Sequence, residues 1–372
     1  MAFKERELRT MEKAKFMDWA YRPFCNSDDI KRIFNVSNVE DYLLKLRAEV
    51  VVDNMRLFRI IRNRYIQNEE TWDFSDHFSE EEFEDYILSI PTEYAEKANL
   101  TKGFIFSNDA NGSIMRTDFG DIICISEALR YFLFYMNLTF LDFGIEVPDS
   151  VRYRSLMIGI RTMLKTETLD FEQDPRGIIP EELEKSINHI VSHQLQFIIG
   201  HELSHHFLNH LDKSKTVKRS FYRLFENEKS ELDENEFYNY SQEQEFEADK
   251  FTLNLLKETN SLDSYYVQGA ISFFGYLEIF ESVSDYLFPA SSSYQSHPDP
   301  DKRYERIIKD YKEYIDEKFI ATFIESVQGY KNAIMKEIGF EVDKYEMYGS
   351  HYLAEPNTVW RGRQLIDRED YY

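Results

Sequence analysis

The pentapeptide His201-Glu202-Leu203-Ser204-His205 constrains this chain more than any other stretch, because it lies inside the apolar run FIIGHELSHHFLNHL, residues 197–211. Such a run reads as a buried helix, on which positions i and i+4 share one face. Buried imidazoles need partners. A single metal ion can satisfy both rings, and Glu202 then stands one position along, beside the ion's open coordination site. The HExxH spacing is the one that metal-assisted peptide hydrolysis needs: zinc lowers the pKa of a bound water to about 7, and an adjacent carboxylate takes its proton and returns it to a leaving amine. The competing reading of these five residues is a plain buried helix with two hydrogen-bonded histidines.

A metal site needs a third protein ligand. Extending the motif to HExxHxxGxxH would place glycine at 208 and histidine at 211, but both positions are leucine, so that class is excluded. His206 points roughly 100° away from His205 on the helix, and His210 has the wrong spacing, so both read as surface or core histidines. The better candidate lies in QEQEFEADKFTLNLL, residues 242–256. Glu245, Ala248 and Asp249 fall at i, i+3 and i+4 on one helical face. Glu245 can reach the metal. Ala248 would let two helices approach closely, and Asp249 can accept a hydrogen bond from the outer nitrogen of a ligating histidine. Glu243 and Glu247 form a rival pair on another face. An acidic solvated helix is the alternative, but Phe246, Phe251, Leu253, Leu255 and Leu256 argue for burial.

Taken together, HELSH, EFEAD and the later SHPDPDKR at 296–303 resemble the HtpX-like and CAAX prenyl protease family of zinc peptidases. The resemblance spans roughly residues 103–310, and its specific part is the three motifs. It implies zinc held by His201, His205 and Glu245, with Glu202 as catalytic base and Asp249 as supporting acid. It places His297 beside the active site as a second catalytic residue, with Arg303 anchoring that loop. Pro298 and Pro300 would stiffen the loop. Members of that family are commonly membrane-embedded. This chain departs from them: Glu127 and Arg130 interrupt the apolar stretch 121–145, and Glu278, Glu281 and Asp285 interrupt 267–288, so neither supplies the ~20 clean residues of a membrane span.

GDIICIS at 120–126 reads as a short strand, and Gly103–Phe106 before the turn signal NDANG as another. HExxH peptidases carry a similar small sheet whose edge lies beside the metal helix, where an extended peptide can pair. A structural hairpin fits the segment equally well. Helical periodicity or composition covers 3–20, 39–66, 79–99, 126–142, 181–212, 241–258, 263–288 and 301–337. The expected fold is therefore α+β and predominantly α-helical, a metallopeptidase core with a small β-sheet beside the metal helix. Its expected division is a helical N-terminal region (1–100), the zinc core (101–337) and a tail (338–372) that no pattern assigns. The charge run 226–245 reads as a solvated loop or a lid.

Net charge is −24, which disfavours nucleic acid and anionic membrane as partners. Two cysteines make no disulfide framework. The charged N-terminus has no secretory apolar region, which points to the cytoplasm. The reading is a soluble zinc endopeptidase acting on a protein or peptide substrate. Its alternative is a defence- or toxin-type regulatory protein that binds a partner through its helical N-terminal region and carries a structural or vestigial metal site.

Overall fold

Asparagine punctuates the N-terminal third. The Asn26 side chain accepts from the backbone N–H groups of Asp28 and Asp29 and starts α1 (Ser27–Phe34) with a capping box. Asn38 caps α2 (Val39–Asp53). Asn54 then accepts from Arg56 and Leu57 and starts α3 (Met55–Gln67). That cap divides the single helix expected over 39–66, because an extended residue at 54 satisfies the new helix's first donors and ends the old one. The computed structural model describes residues 19–107, 110–220, 234–289 and 298–350. The expected helix at 3–20 lies largely outside the described residues, and the first part of the charge run (226–233), the tail beyond 350 and His297 lie outside them altogether.

Five strands among the described residues form one mixed sheet: β1 (Thr101–Ile105), β2 (Gly112–Thr117), β3 (Gly120–Ser126), β4 (Lys215–Ser220) and β5 (Glu234–Asn239), in the order β1-β3-β2-β5-β4. The two strands read from sequence, β1 and β3, are neighbours but run parallel, so they are not a hairpin. The hairpin is β2–β3, closed at Thr117 and Gly120, where Gly120 has φ +137°. β3 is apolar on both faces because both are covered. Ile122 and Cys124 pack with Leu43 and Leu46 of α2, whereas Ile123 and Ile125 join the main core. The middle of the charge run contributes β5, and its last residues open the helix that starts at Gln242, so the described part is ordered structure rather than a loop.

The remaining helices named among the described residues are α4 (Glu81–Ser89), α5 (Thr92–Ala95), α6 (Glu127–Phe140), α7 (Asp149–Met163), α8 (Glu181–Phe207), α9 (Gln242–Glu258), α10 (Ser264–Leu287), α11 (Pro300–Asp310), α12 (Glu317–Glu337) and α13 (Asp343–Glu346). The protein is predominantly helical α+β. Its centre is α8, against which α4, α6, α9 and α10 pack. Every residue from Gln194 to His205 of α8 is buried, as expected for a helix surrounded on all sides. Two of its buried polar side chains tie it to its neighbours: Gln194 to Asn137 at 2.8 Å, and Ser204 to Thr252 at 2.9 Å.

α7 escaped the periodicity reading, and the helix expected over 301–337 is broken at 311–316, where Asp316 caps α12. One core cluster runs from Tyr21 to Tyr345 and takes residues from all three sequence-defined stretches. Near its far end Arg161, Glu167, Asp170 and Arg176 form a buried ionic network. Arg161 donates to the carbonyls of Lys344 and Met347, and Thr168 meets Ser350 at 2.6 Å, so the described part of the tail is tied to the body.

Candidate metal centre

His201 and His205 occupy successive turns of α8, and their Nε2 atoms lie 3.1 Å apart. α9 crosses at this point. Gly200 makes the approach possible, since a Cβ there would stand 2.5 Å from Thr252 Cγ2 and collide with the Tyr86 ring of α4. Ala248, fully buried, does the same from the other helix. The crossing presents Glu245, 1% exposed, to both imidazoles: Oε2 is 3.4 Å from His201 Nε2, and Oε1 is 3.7 Å from His205 Nε2.

These three residues could hold a metal ion, and among the described residues they are the one group of three or more His, Cys, Asp or Glu side chains so arranged. Zinc bonds of about 2.0–2.2 Å at tetrahedral angles set ligand atoms about 3.4 Å apart, close to the 3.1 Å between the two Nε2 atoms and the 3.4 Å from His201 Nε2 to Glu245 Oε2, with the carboxylate's other oxygen 3.7 Å from His205 Nε2. The charges fit as well. Glu202, Glu245 and Asp249 place three carboxylates against one guanidinium, Arg303, in one buried cluster. With both imidazoles neutral and the acids ionised, two negative charges remain, which a divalent cation balances.

Asp249 lies one helical turn beyond Glu245. Its Oδ1 is 2.9 Å from His201 Nδ1, and Arg303 grips both its oxygens at 2.6 and 2.8 Å. Arg303 comes from the first turn of α11 after Pro300 at the helix start, and its guanidinium covers the Phe274 ring at 4.2 Å. It also reaches Glu245 at 3.3 Å. Burial alone would raise the Asp249 pKa, but Arg303 and His201 outweigh it and hold the carboxyl below its ordinary range. Burial likewise works against a charged His201, yet the hydrogen bonds to Asp249 and Glu245 prevail and raise its pKa to about 10. His205 moves the other way. Burial first, then the neighbouring His201, push it well below the usual histidine value.

Glu202 is 7% exposed and borders the sheet: a Cβ on Gly112 would lie 3.6 Å from its Cγ and 2.9 Å from Ile198. The strand against the metal helix is thus β2, an inner strand, rather than a sheet edge. β5 pairs with β2 only at Met115 and Arg116. Among the described residues no strand pairs with the far side of Gly112–Ile114.

Sequence reasoning missed two residues. Tyr240, between β5 and α9, stacks on the His205 ring with centroids 3.5 Å apart and planes 8° from parallel. Its hydroxyl is buried and has no hydrogen-bond partner among the described residues. Burial, then Glu202 and Glu245, push its pKa up, so it stays protonated. His210 is 2% exposed, and its Nδ1 lies 2.9 Å from His205 Nδ1. His206, by contrast, sits at the surface against the Lys97 carbonyl, and Glu243 is exposed. Glu247 contacts His210 and not the three-residue group. The structure therefore brings His201, Glu202, His205, Glu245, Asp249 and Arg303 into one buried cluster.

No helix among the described residues is long and apolar enough to cross a membrane. No family model, curated protein or solved structure matches this chain.

Proposed function

We propose that this protein is a zinc-dependent endopeptidase of the HtpX-like and CAAX protease type, one in which no helix among the described residues could span a membrane. The observation that carries the reading is the ligand triangle of His201, His205 and Glu245 with a further buried carboxylate, Glu202, on the same helix. Two imidazoles and a carboxylate, leaving room for water, form the donor set of a catalytic rather than a structural zinc site. Zinc bound there supplies a Lewis acid that polarises a carbonyl and acidifies water.

The chain's own residues have separable tasks. Glu202 takes the proton of the attacking water and returns it to the departing amine. Tyr240, a protonated donor with its hydroxyl uncommitted, stabilises the oxyanion that develops on the scissile carbonyl. Gly112–Ile114 offers backbone groups to an extended peptide, and Gly112 lets that strand pack closely on Ile198, one turn before Glu202 on the same helix. Asp249 and Arg303 fix the tautomer of His201.

The test pairs metal analysis of the purified protein with a proteome-wide search for new N-termini in cells expressing wild type or Glu202→Gln. Expected are one zinc per chain in both proteins and cleavage products only with wild type. Identical N-termini in the two would remove the peptidase reading, and absence of bound metal in wild type would remove its basis.

A further inference from the structure

We infer that His210 is a positioning residue of the metal site, the middle of a hydrogen-bonded chain from His205 through His210 to Glu247 at the surface. The inference rests on reading His201, His205 and Glu245 as metal ligands, and it does not depend on peptidase activity.

The end of α8 builds the chain. Asn209 has φ +56°, a left-handed conformation that asparagine tolerates better than most residues. The N–H of His210 then donates to the His205 carbonyl at 2.9 Å, and that of Asn209 to the His206 carbonyl at 3.0 Å. This is a Schellman termination, whose geometry folds the residue after the left-handed position back onto the residue five before it. An apolar contact usually joins those two side chains. Here both are imidazoles, and they meet at 2.9 Å.

Proton placement follows from the donors. His205 directs Nε2 at His201 and Glu245, so Nε2 is the ligating atom and Nδ1 carries the hydrogen. His205 Nδ1–H therefore donates to His210 Nδ1. His210 must then hold its own hydrogen on Nε2, which lies 3.3 Å from Glu247 Oε2. The Glu247 side chain is 57% exposed, so the chain ends in solvent. The two ligands are thus supported differently: His201 by a buried carboxylate clamped by arginine, His205 by a neutral ring relayed to the surface.

The experiment is Zn2+ titration of the metal-free full chain by chelator competition, with Co2+ absorption as a second readout, for wild type and three variants. His210→Asn places an amide oxygen where Nδ1 was. His210→Leu has nearly the same shape and no acceptor. Glu247→Ala removes the outer link. We expect His210→Leu to weaken zinc binding about 10- to 100-fold and to alter the Co2+ bands. His210→Asn should stay within a few-fold of wild type, with Glu247→Ala between them, and metal-free melting temperatures should differ little between Asn and Leu. Equal affinity for His210→Leu and wild type would overturn the inference, as would Asn behaving like Leu. A wild type that binds no metal would instead refute the metal reading beneath it.

Discussion

Metal affinity should depend on pH with a slope that the cluster sets. Without metal His201 holds a proton, because Asp249 and Glu245 raise its pKa to about 10, while burial keeps His205 neutral. Ligation needs a free Nε2 on each ring, so between pH 6 and 8 each ion bound releases one proton from the imidazoles. The sign is fixed: affinity falls as pH falls, because protons compete for His201 throughout a window below its metal-free pKa. One proton corresponds to tenfold per pH unit, hence about 100-fold from pH 8 to pH 6, or roughly 2.7 kcal/mol. Calorimetry in buffers of different ionisation enthalpy counts the protons directly, and chelator competition gives the slope. Asp249→Asn removes the carboxylate whose hydrogen bond favours charged His201, so proton release at pH 8 should drop well below one even as affinity falls. Affinity independent of pH, or two protons released, would show that the ring charges assigned here are wrong.

Three further outcomes follow from contacts. Glu202→Gln keeps side-chain size and leaves the ligands untouched, so metal content should match wild type while any peptide hydrolysis falls at least ~10²-fold, measured on a cleaved substrate from the N-terminus search. Gly200→Ala forces a methyl against Tyr86 and against Thr252 at 2.5 Å; overpacking of this kind costs about 1–3 kcal/mol, which a urea midpoint will register, and an unchanged midpoint would mean that α8, α9 and α4 do not meet this closely. Arg303→Met strips the buried Asp249 of its paired cation and should destabilise the fold by roughly 3–5 kcal/mol, with zinc affinity reduced as well.

What could be read without coordinates divides along a physical line. Helical spacing alone relates His201 to His205, and Glu245 to Asp249, because i and i+4 lie on one face whatever surrounds the helix. The β-branched run Ile122, Ile123 and Ile125 likewise suffices for β3. The meeting of α8 with α9 is a tertiary fact that neither spacing contains; the need of a buried Glu245 for a partner and the small Ala248 beside it suggested the meeting, and Gly200, Ala248, Ser204 and Thr252 are the small residues that make room for it. Strand β2 stayed hidden in a stretch read as a turn, because it begins at the glycine that ended the turn signal, and Gly112 is needed for close approach rather than for turning. α7 carries apolar side chains on nearly every face of its second half, so it lacks the stripe that periodicity detects.

His210 shows the limit most clearly. A helical wheel extended past Phe207 assigns it a direction it does not have, because the helix stops at Leu208 and Asn209 turns the chain back. The signal was present in the letters: an asparagine just beyond the last helical turn, followed at once by a residue that a Schellman termination would fold onto the second ligand. Reading helix ends as geometry, rather than as the place where periodicity stops, would have moved His210 from the discarded histidines to a contact of His205. The same rule applies wherever a ligand sits in the last turn of its helix. There, the residue after a left-handed cap is a candidate to set that ligand's tautomer, and its side chain merits the same scrutiny as the motif itself.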